Sequence, residues 1–254
     1  MQGKAAHGFA IGLVSGCFGG LMGLGGGVLM VPLMVHFLGL TQHRAHGTSL
    51  AALILTGFFG ALAYWMDGSV DVTAALFLAA SAIFTARAGA HYAHNLPAWK
   101  LKKYFGIFTL FVAALLIAKP YLPSPGVQAA FWWKAAALLA TGAFTGFLSG
   151  MMGVGGGSMM VPAMVLLAGM GQHTAQGSSL LAMVPAGIAG ARTHWKLGNV
   201  AAEYLPGLLG GIVIGSFAGG KLAGILPDNA LRIMFAAVLV YTGATYSRSQ
   251  PPPA

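Results

Sequence analysis

GLMGLGGGVLMVPLMVHFLGLTQHRAHGTSL, residues 20–50, returns 130 residues later as GMMGVGGGSMMVPAMVLLAGMGQHTAQGSSL, residues 150–180. The two stretches align without a gap and are identical at 18 of 31 positions. The same offset pairs Gly60 with Gly190, Trp65 with Trp195, Gly68 with Gly198 and Val70 with Val200. It continues through Gly89 and Gly219, Pro97 and Pro227, and Leu101-Lys102 and Leu231-Arg232. A fixed period held over this length is the mark of a duplicated unit. The units are read as 1–125 and 126–247, with a tail at 248–254 that reads as disordered.

Outside these motifs the chain is almost continuously apolar. It has 254 residues, 57% hydrophobic and only 7% charged, against about 25% charged in an ordinary soluble domain. So few charges cannot cover the surface of a soluble fold this size, and lipid must cover it instead. Thirteen Lys and Arg against four acids give a formal charge of +9. The basic residues stand singly or in short clusters at segment ends, which suits membrane anchoring and not nucleic-acid binding. The only cysteine, Cys17, excludes an internal disulfide and Cys-x-x-Cys redox chemistry. The apolar run that begins at Gly8 passes directly into the repeated motif, so it is read as a retained helix and not a cleaved leader.

Five apolar segments are expected in each unit. They lie near 5–23, 28–38, 46–65, 70–93 and 101–118, then near 130–153, 158–170, 176–195, 200–220 and 231–247. Helices are required, because only helices or closed barrels span lipid and strand alternation is missing. The second segment of the first unit, 28–38, has 11 residues, or about 16 Å of helix. A bilayer core is about 30 Å thick. The short segment is therefore expected to enter and turn back against the segment before it, forming a broken or re-entrant pair.

Charge then selects the orientation of the halves. With the N-terminus inside and the short segments re-entrant, Lys4, Arg44, Arg87, Lys100, Lys102, Lys103, Arg192, Lys196 and Arg248 fall inside. Lys119, Lys134, Lys221 and Arg232 fall outside, with Asp67, Asp71 and Asp228. That bias fits the positive-inside rule. If the short segment merely completed one span, the 100–103 cluster would be exported. The fold class expected is all-α integral membrane, with two inverted-topology repeats of about five segments each.

Inverted repeats whose broken helices meet at the midplane are a transporter architecture. The interrupted places here are Gly23-Leu-Gly-Gly-Gly27 and Gly153-Val-Gly-Gly-Gly157. Each opens a short helix with a proline, Pro32 or Pro162. Backbone N–H groups at the positive end of such a helix form an anion cradle, so Gly25, Gly26, Gly27, Gly155, Gly156 and Gly157 are candidate substrate-binding positions. The hydroxyl pairs Thr48-Ser49 and Ser178-Ser179 begin the following segments and are candidates too. Back-bonding to the preceding helical turn is the other reading of these hydroxyls. Gln42, His43 and His46 precede the first pair, and Gln172, His173 and Gln176 the second. These six either line the mouth of a substrate path or are interfacial polar residues.

Other features have plainer readings. Gly12, Gly16 and Gly20 are spaced to let helices approach closely. Arg87 and Arg192, late in their segments, either snorkel or clamp substrate. His43/His46 and His91/His94 have a spacing a metal could use, but no carboxylate or cysteine accompanies them, so no metal and no cofactor are expected. The methionines near Met22, Met30, Met151 and Met159 suit adaptable packing.

The doubled GxGGG…P…GTSL motif followed by a Gly-x-Val loop resembles the sulfite/organosulfonate exporter family TauE/SafE. The resemblance spans nearly the whole chain. It implies a secondary transporter exporting small sulfur-containing anions, such as sulfite or organosulfonates, by alternating access. The second unit has Ser178 where the usual motif has threonine, and both keep the hydroxyl. No acid lies deep in an expected helix, since Asp71 and Glu203 sit at helix starts, so no carboxylate proton relay is evident. An anion channel, or a carrier of another small carboxylate-type anion, is the alternative reading. An enzyme is not expected, because neither His-Glu-x-x-His nor a serine with a paired base is present. The location expected is a bacterial inner membrane, with a homodimer suggested by small-residue faces.

Overall fold

The computed structural model describes residues 2–92, 98–121, 131–153 and 155–248. Pro97, His94 and most of the tail lie outside them. The described residues form ten α-helices and one 3₁₀ turn, with no strand. The first unit contributes α1 (Gln2–Met22), α2 (Gly27–Leu38), α3 (Gln42–Met66), α4 (Val72–Tyr92) and α5 (Ala98–Ala118). The second contributes α6 (Phe131–Met152), α7 (Gly157–Leu166), α8 (Gln172–Lys196), α9 (Leu205–Ile225) and α10 (Asp228–Ser247). Six of these, α1, α3, α4, α6, α9 and α10, are long and apolar enough to cross a membrane. Large apolar side chains point outward from them, among them Phe84, Trp132, Ile225 and Tyr241. This is an all-helical integral membrane protein, for only lipid makes such a surface stable.

Each of the ten expected segments appears as a helix, and the boundaries differ in two instructive places. Helices α3 and α8 begin four residues earlier than hydropathy suggests, at Gln42 and Gln172. At α3 the Thr41 side chain accepts a hydrogen bond from the Arg44 N–H at 3.4 Å, an N-cap that sets the start. Gln42, His43 and His46 therefore belong to the first turns of a helix and not to a loop. Helix α9 runs 205–225 instead of 200–220. A turn occupies 202–204 and Pro206 stands in the first helical turn, where its missing N–H is harmless. The Gly219-Gly220 pair does not end this helix but lets it approach others: a Cβ on Gly219 would stand 2.9 Å from the Leu21 nitrogen.

Glycine contacts give the relative directions of the helices. Gly8, Gly12, Gly16 and Gly20 of α1 face Tyr204, Leu208, Ile212 and Ser216 in turn, so α1 and α9 run parallel in close contact. Gly142, Gly146 and Gly150 of α6 face Leu78, Ala82 and Ala86 of α4 in the same manner. The small residues that sequence reading assigned to packing do that work, bringing backbones together where dispersion and not the hydrophobic effect holds helices in lipid.

Helices α3 and α8 cross antiparallel: Gly57 meets Leu180 and Val184, while Gly187 meets Leu50 and Ile54. Helices α5 and α10 are also antiparallel, with Gly106 at Ser247 and Gly243 at Leu110. The main contacts have counterparts when each helix is exchanged for the one five places along, α1–α9 with α6–α4 and α4–α8 with α9–α3, while the smaller ones of α10 with α8 and of α5 with α7 do not. The short α2 buries Met30, Val31 and Met34 in one apolar cluster with Ile11, Leu40, Tyr204 and Leu208. It thus folds back beside α1 instead of continuing away from it.

Candidate functional site

The two glycine breaks are brought against each other. A Cβ built on Gly155 would lie 2.9 Å from the Leu24 carbonyl oxygen, and one on Gly157 would lie 2.8 Å from the Leu24 Cα and closer still to the Gly23 carbonyl oxygen. The crossing of α3 and α8 lies over the same point, where Leu53 and the Met183 sulfur abut Gly25 and Gly155. Gly23, Gly25, Gly26, Gly153 and Gly155 all have φ between 63° and 80°. Glycine adopts that left-handed conformation at no steric cost, and it is what allows the chain to reverse from α1 into α2 and from α6 into α7.

The hydroxyls that sequence reading offered as ligands have backbone partners in the opposite unit. Ser179 donates to the Gly23 carbonyl at 2.7 Å, and Ser49 donates to the Gly153 carbonyl. These are equivalent bonds, each joining the third helix of one unit to the break of the other. Thr48 and Ser178 form a second equivalent pair. Thr48 donates to the Arg44 carbonyl at 2.6 Å and accepts from the Ala201 N–H at 2.8 Å, while Ser178 accepts from the Asp71 N–H at 2.8 Å. All four side chains are fully buried. Back-bonding was half of the answer for Thr48; the other half is that the hydroxyls hold turns of the partner unit.

Two side chains that sequence reading passed over complete this arrangement. The Tyr64 hydroxyl directs its single proton between the Leu21 carbonyl at 3.1 Å and the Gln176 side-chain oxygen at 2.9 Å. At the equivalent position His194 places Nε2 3.1 Å from the Gly150 carbonyl. Gln176 sits against Gly23, and His46 sits against Gly153, each with its Cα 2.7 Å from where a glycine Cβ would be. The first break is thus lined by Tyr64, Gln176 and Ser179, and the second by His194, His46 and Ser49. The available signal was the 130-residue offset, which pairs a polar aromatic residue at 64 with one at 194.

The remaining candidates stand apart from the breaks. Gln42 and His43 are exposed at the start of α3. His173 bonds Asp228 and approaches the Ala223 carbonyl at 3.1 Å. Gln172 is buried, and its backbone N–H donates to Asp228 at 3.3 Å. Its side-chain amide has no hydrogen-bond partner, and neither does the Gln176 side-chain nitrogen. Among the described residues no group of three or more His, Cys, Asp and Glu side chains could hold a metal ion.

The family described as "Sulfite exporter TauE/SafE" matches residues 8–246, nearly the entire chain. The chain belongs to the TauE/SafE family. Its relatives include the probable membrane transporter protein YunE of Bacillus subtilis, 27% identical over 92% of this chain and 93% of the relative. The probable membrane transporter protein YjnA of Bacillus subtilis is 26% identical over 92% of this chain and 96% of the relative. A probable membrane transporter protein of Xylella fastidiosa (strain Temecula1) is 26% identical over 87% and 88%. No solved structure matches the chain. The region matched to the TauE/SafE family includes both breaks and both hydroxyl pairs.

Proposed function

We propose that this protein is a secondary transporter that exports a small sulfur-containing oxyanion, sulfite or an organosulfonate, across a bacterial inner membrane by alternating access. The observation that carries the reading is the contact of the two breaks beneath the α3–α8 crossing. There the N-termini of α2 and α7 converge from opposite units, and helix N-termini with open backbone N–H groups favour anions. Gly25, Gly26, Gly27, Gly155, Gly156 and Gly157 form the substrate cradle in this reading, with Gln176 and His46 flanking it. Ser49, Ser179, Thr48 and Ser178 act as fasteners of the two units, and Gln42, His43, Gln172 and His173 lie on the approach.

The units are inverted in this proposal. Equivalent helices α3 and α8 run antiparallel, and each has 25 residues, about 37 Å of helix, so in this reading an axis in the membrane plane relates them. The test uses Cys17→Ser as background, with Met66→Cys or Lys196→Cys at equivalent positions. A membrane-impermeant thiol reagent labels the two from opposite sides of the membrane if the units are inverted, and from the same side if they are parallel.

Export needs no second ion. A potential of 100 mV, inside negative, contributes about 2.3 kcal/mol per charge, roughly fiftyfold in concentration. In proteoliposomes, saturable efflux of sulfite or a sulfonate is expected to rise with an imposed inside-negative potential and to be stimulated by the same anion on the far side. Flux that never saturates would make the protein a channel. Efflux of carboxylates in preference to sulfur oxyanions would move the substrate class.

A further inference from the structure

A cavity of about 310 Å³ opens between the C-terminal ends of α4 and α8, lined by Arg87 and His91 from one helix and Arg192, Thr193 and Lys196 from the other. It is separate from the contact of the glycine breaks. Helices α3 and α4 are joined by a tight turn, and α8 runs antiparallel to α3, so α4 and α8 end on the same side of the bundle. That side carries the start of α1 as well, because Gly8 meets Tyr204 at the start of α9, which follows α8.

Three obligate cations and a histidine thus share one cavity, and among the described residues no acid lines it. The four Asp and Glu side chains of the chain are each engaged elsewhere. Asp67 binds Lys221 at 2.6 Å. Asp71 accepts the Ala74 N–H at 2.9 Å. Glu203 binds Arg44 at 3.0 Å, and Asp228 binds His173. The Thr193 hydroxyl is turned to the Ala189 carbonyl at 3.1 Å, leaving the wall of the cavity cationic.

We infer that this cavity binds an oxyanion of sulfur or phosphorus from the side of the membrane that carries the N-terminus. Two guanidinium forks match the spacing of oxygen atoms on such a group, and the lysine adds a point charge. A basic pocket between membrane helices takes such a group either from solution or as the headgroup of an anionic phospholipid. The site does not depend on the transport reading.

The experiment uses the purified full-length protein in a zwitterionic detergent, with two arms. Calorimetry measures inorganic sulfate and phosphate; native mass spectrometry measures co-purified phosphatidylglycerol and cardiolipin. Arg87→Gln and Arg192→Gln are each expected to weaken binding by about tenfold or more, the worth of a charge-assisted hydrogen bond. Arg192→Lys should lose less, since it keeps the charge without the fork. Arg248→Gln, an equal charge change on an exposed residue at the end of α10, should leave binding unchanged. Elution volume and helix content confirm that each variant folds.

A fork-dependent loss in the first arm assigns a free anion, and one in the second arm assigns a lipid headgroup. The inference is overturned if the Arg192→Gln protein matches the parent in both arms, or if Arg248→Gln weakens binding equally. Saturable flux by the parent with neither arm affected would sink this site alone. Binding at the cavity by a parent protein that moves no anion would sink the transport reading alone.

Discussion

A Gly157→Ala protein folds with reduced stability and carries no substrate flux, whereas Gly210→Ala is more stable than the parent and transports normally. Both positions are helical, so alanine is conformationally acceptable at each, and the difference lies in what the added methyl meets. At Gly157 it meets the backbone of the other break, the Gly23 carbonyl oxygen and the Leu24 Cα. Backbone cannot rotate away as a side chain does, so the two units must separate locally. Overpacking of that kind costs about 1–3 kcal/mol. At Gly210 the methyl meets only the Phe9 ring edge, at 3.7 Å, an ordinary contact. Removing glycine from a helix interior there gains about 0.5–1 kcal/mol. Thermal unfolding and proteoliposome efflux of the two variants, measured together, check the claim. Normal flux through Gly157→Ala would mean that the breaks do not form the moving or binding contact.

Combining Ser49→Ala with Ser179→Ala lowers the unfolding temperature of the substrate-free protein and leaves the substrate-induced shift in place. Each hydroxyl donates to a carbonyl inside the opposite break, and both serines are fully buried. Leaving a buried acceptor without a donor costs about 1–3 kcal/mol in soluble proteins. Interhelical hydrogen bonds in membranes are worth less, about 0.6–2 kcal/mol each. For a chain of this length about 1 kcal/mol moves the unfolding midpoint by roughly 2–4 °C, so the double variant should unfold several degrees lower. The discriminating readout is the increment that sulfite or a sulfonate adds. An unchanged increment assigns the serines to holding the units together. An abolished increment with an unchanged substrate-free midpoint would return them to the substrate, as the bare sequence suggested.

The sequence by itself determined the membrane class, the duplication, the ten helical segments and the two glycine breaks. Each of these is written locally or at one constant offset. Hydropathy is summed over neighbouring residues, and a repeat is a comparison of the chain with itself. The short α2 and α7 were legible for the same reason, because 28–38 is too short to cross a bilayer whatever it packs against. The end of α9 was placed five residues early, at 220, and the Gly219-Gly220 pair there has one appearance whether glycine ends a helix or lets it approach a neighbour. Only packing against Cys17, Leu21 and Ala63 distinguishes the two.

The destinations of the polar groups were decided by the tertiary structure. Ser49 and Gly153 lie 104 residues apart, and Ser179 and Gly23 lie 156 apart. No local pattern connects them. A hydroxyl at the start of a helix serves a ligand, its own backbone or a distant carbonyl equally well, and burial selects among these by making an unpaired group costly. The same holds for Tyr64 and His194, which became part of the breaks only when α3 and α8 crossed. It holds for Arg87, Arg192 and Lys196, whose lack of a carboxylate partner follows from where the four acids come to rest.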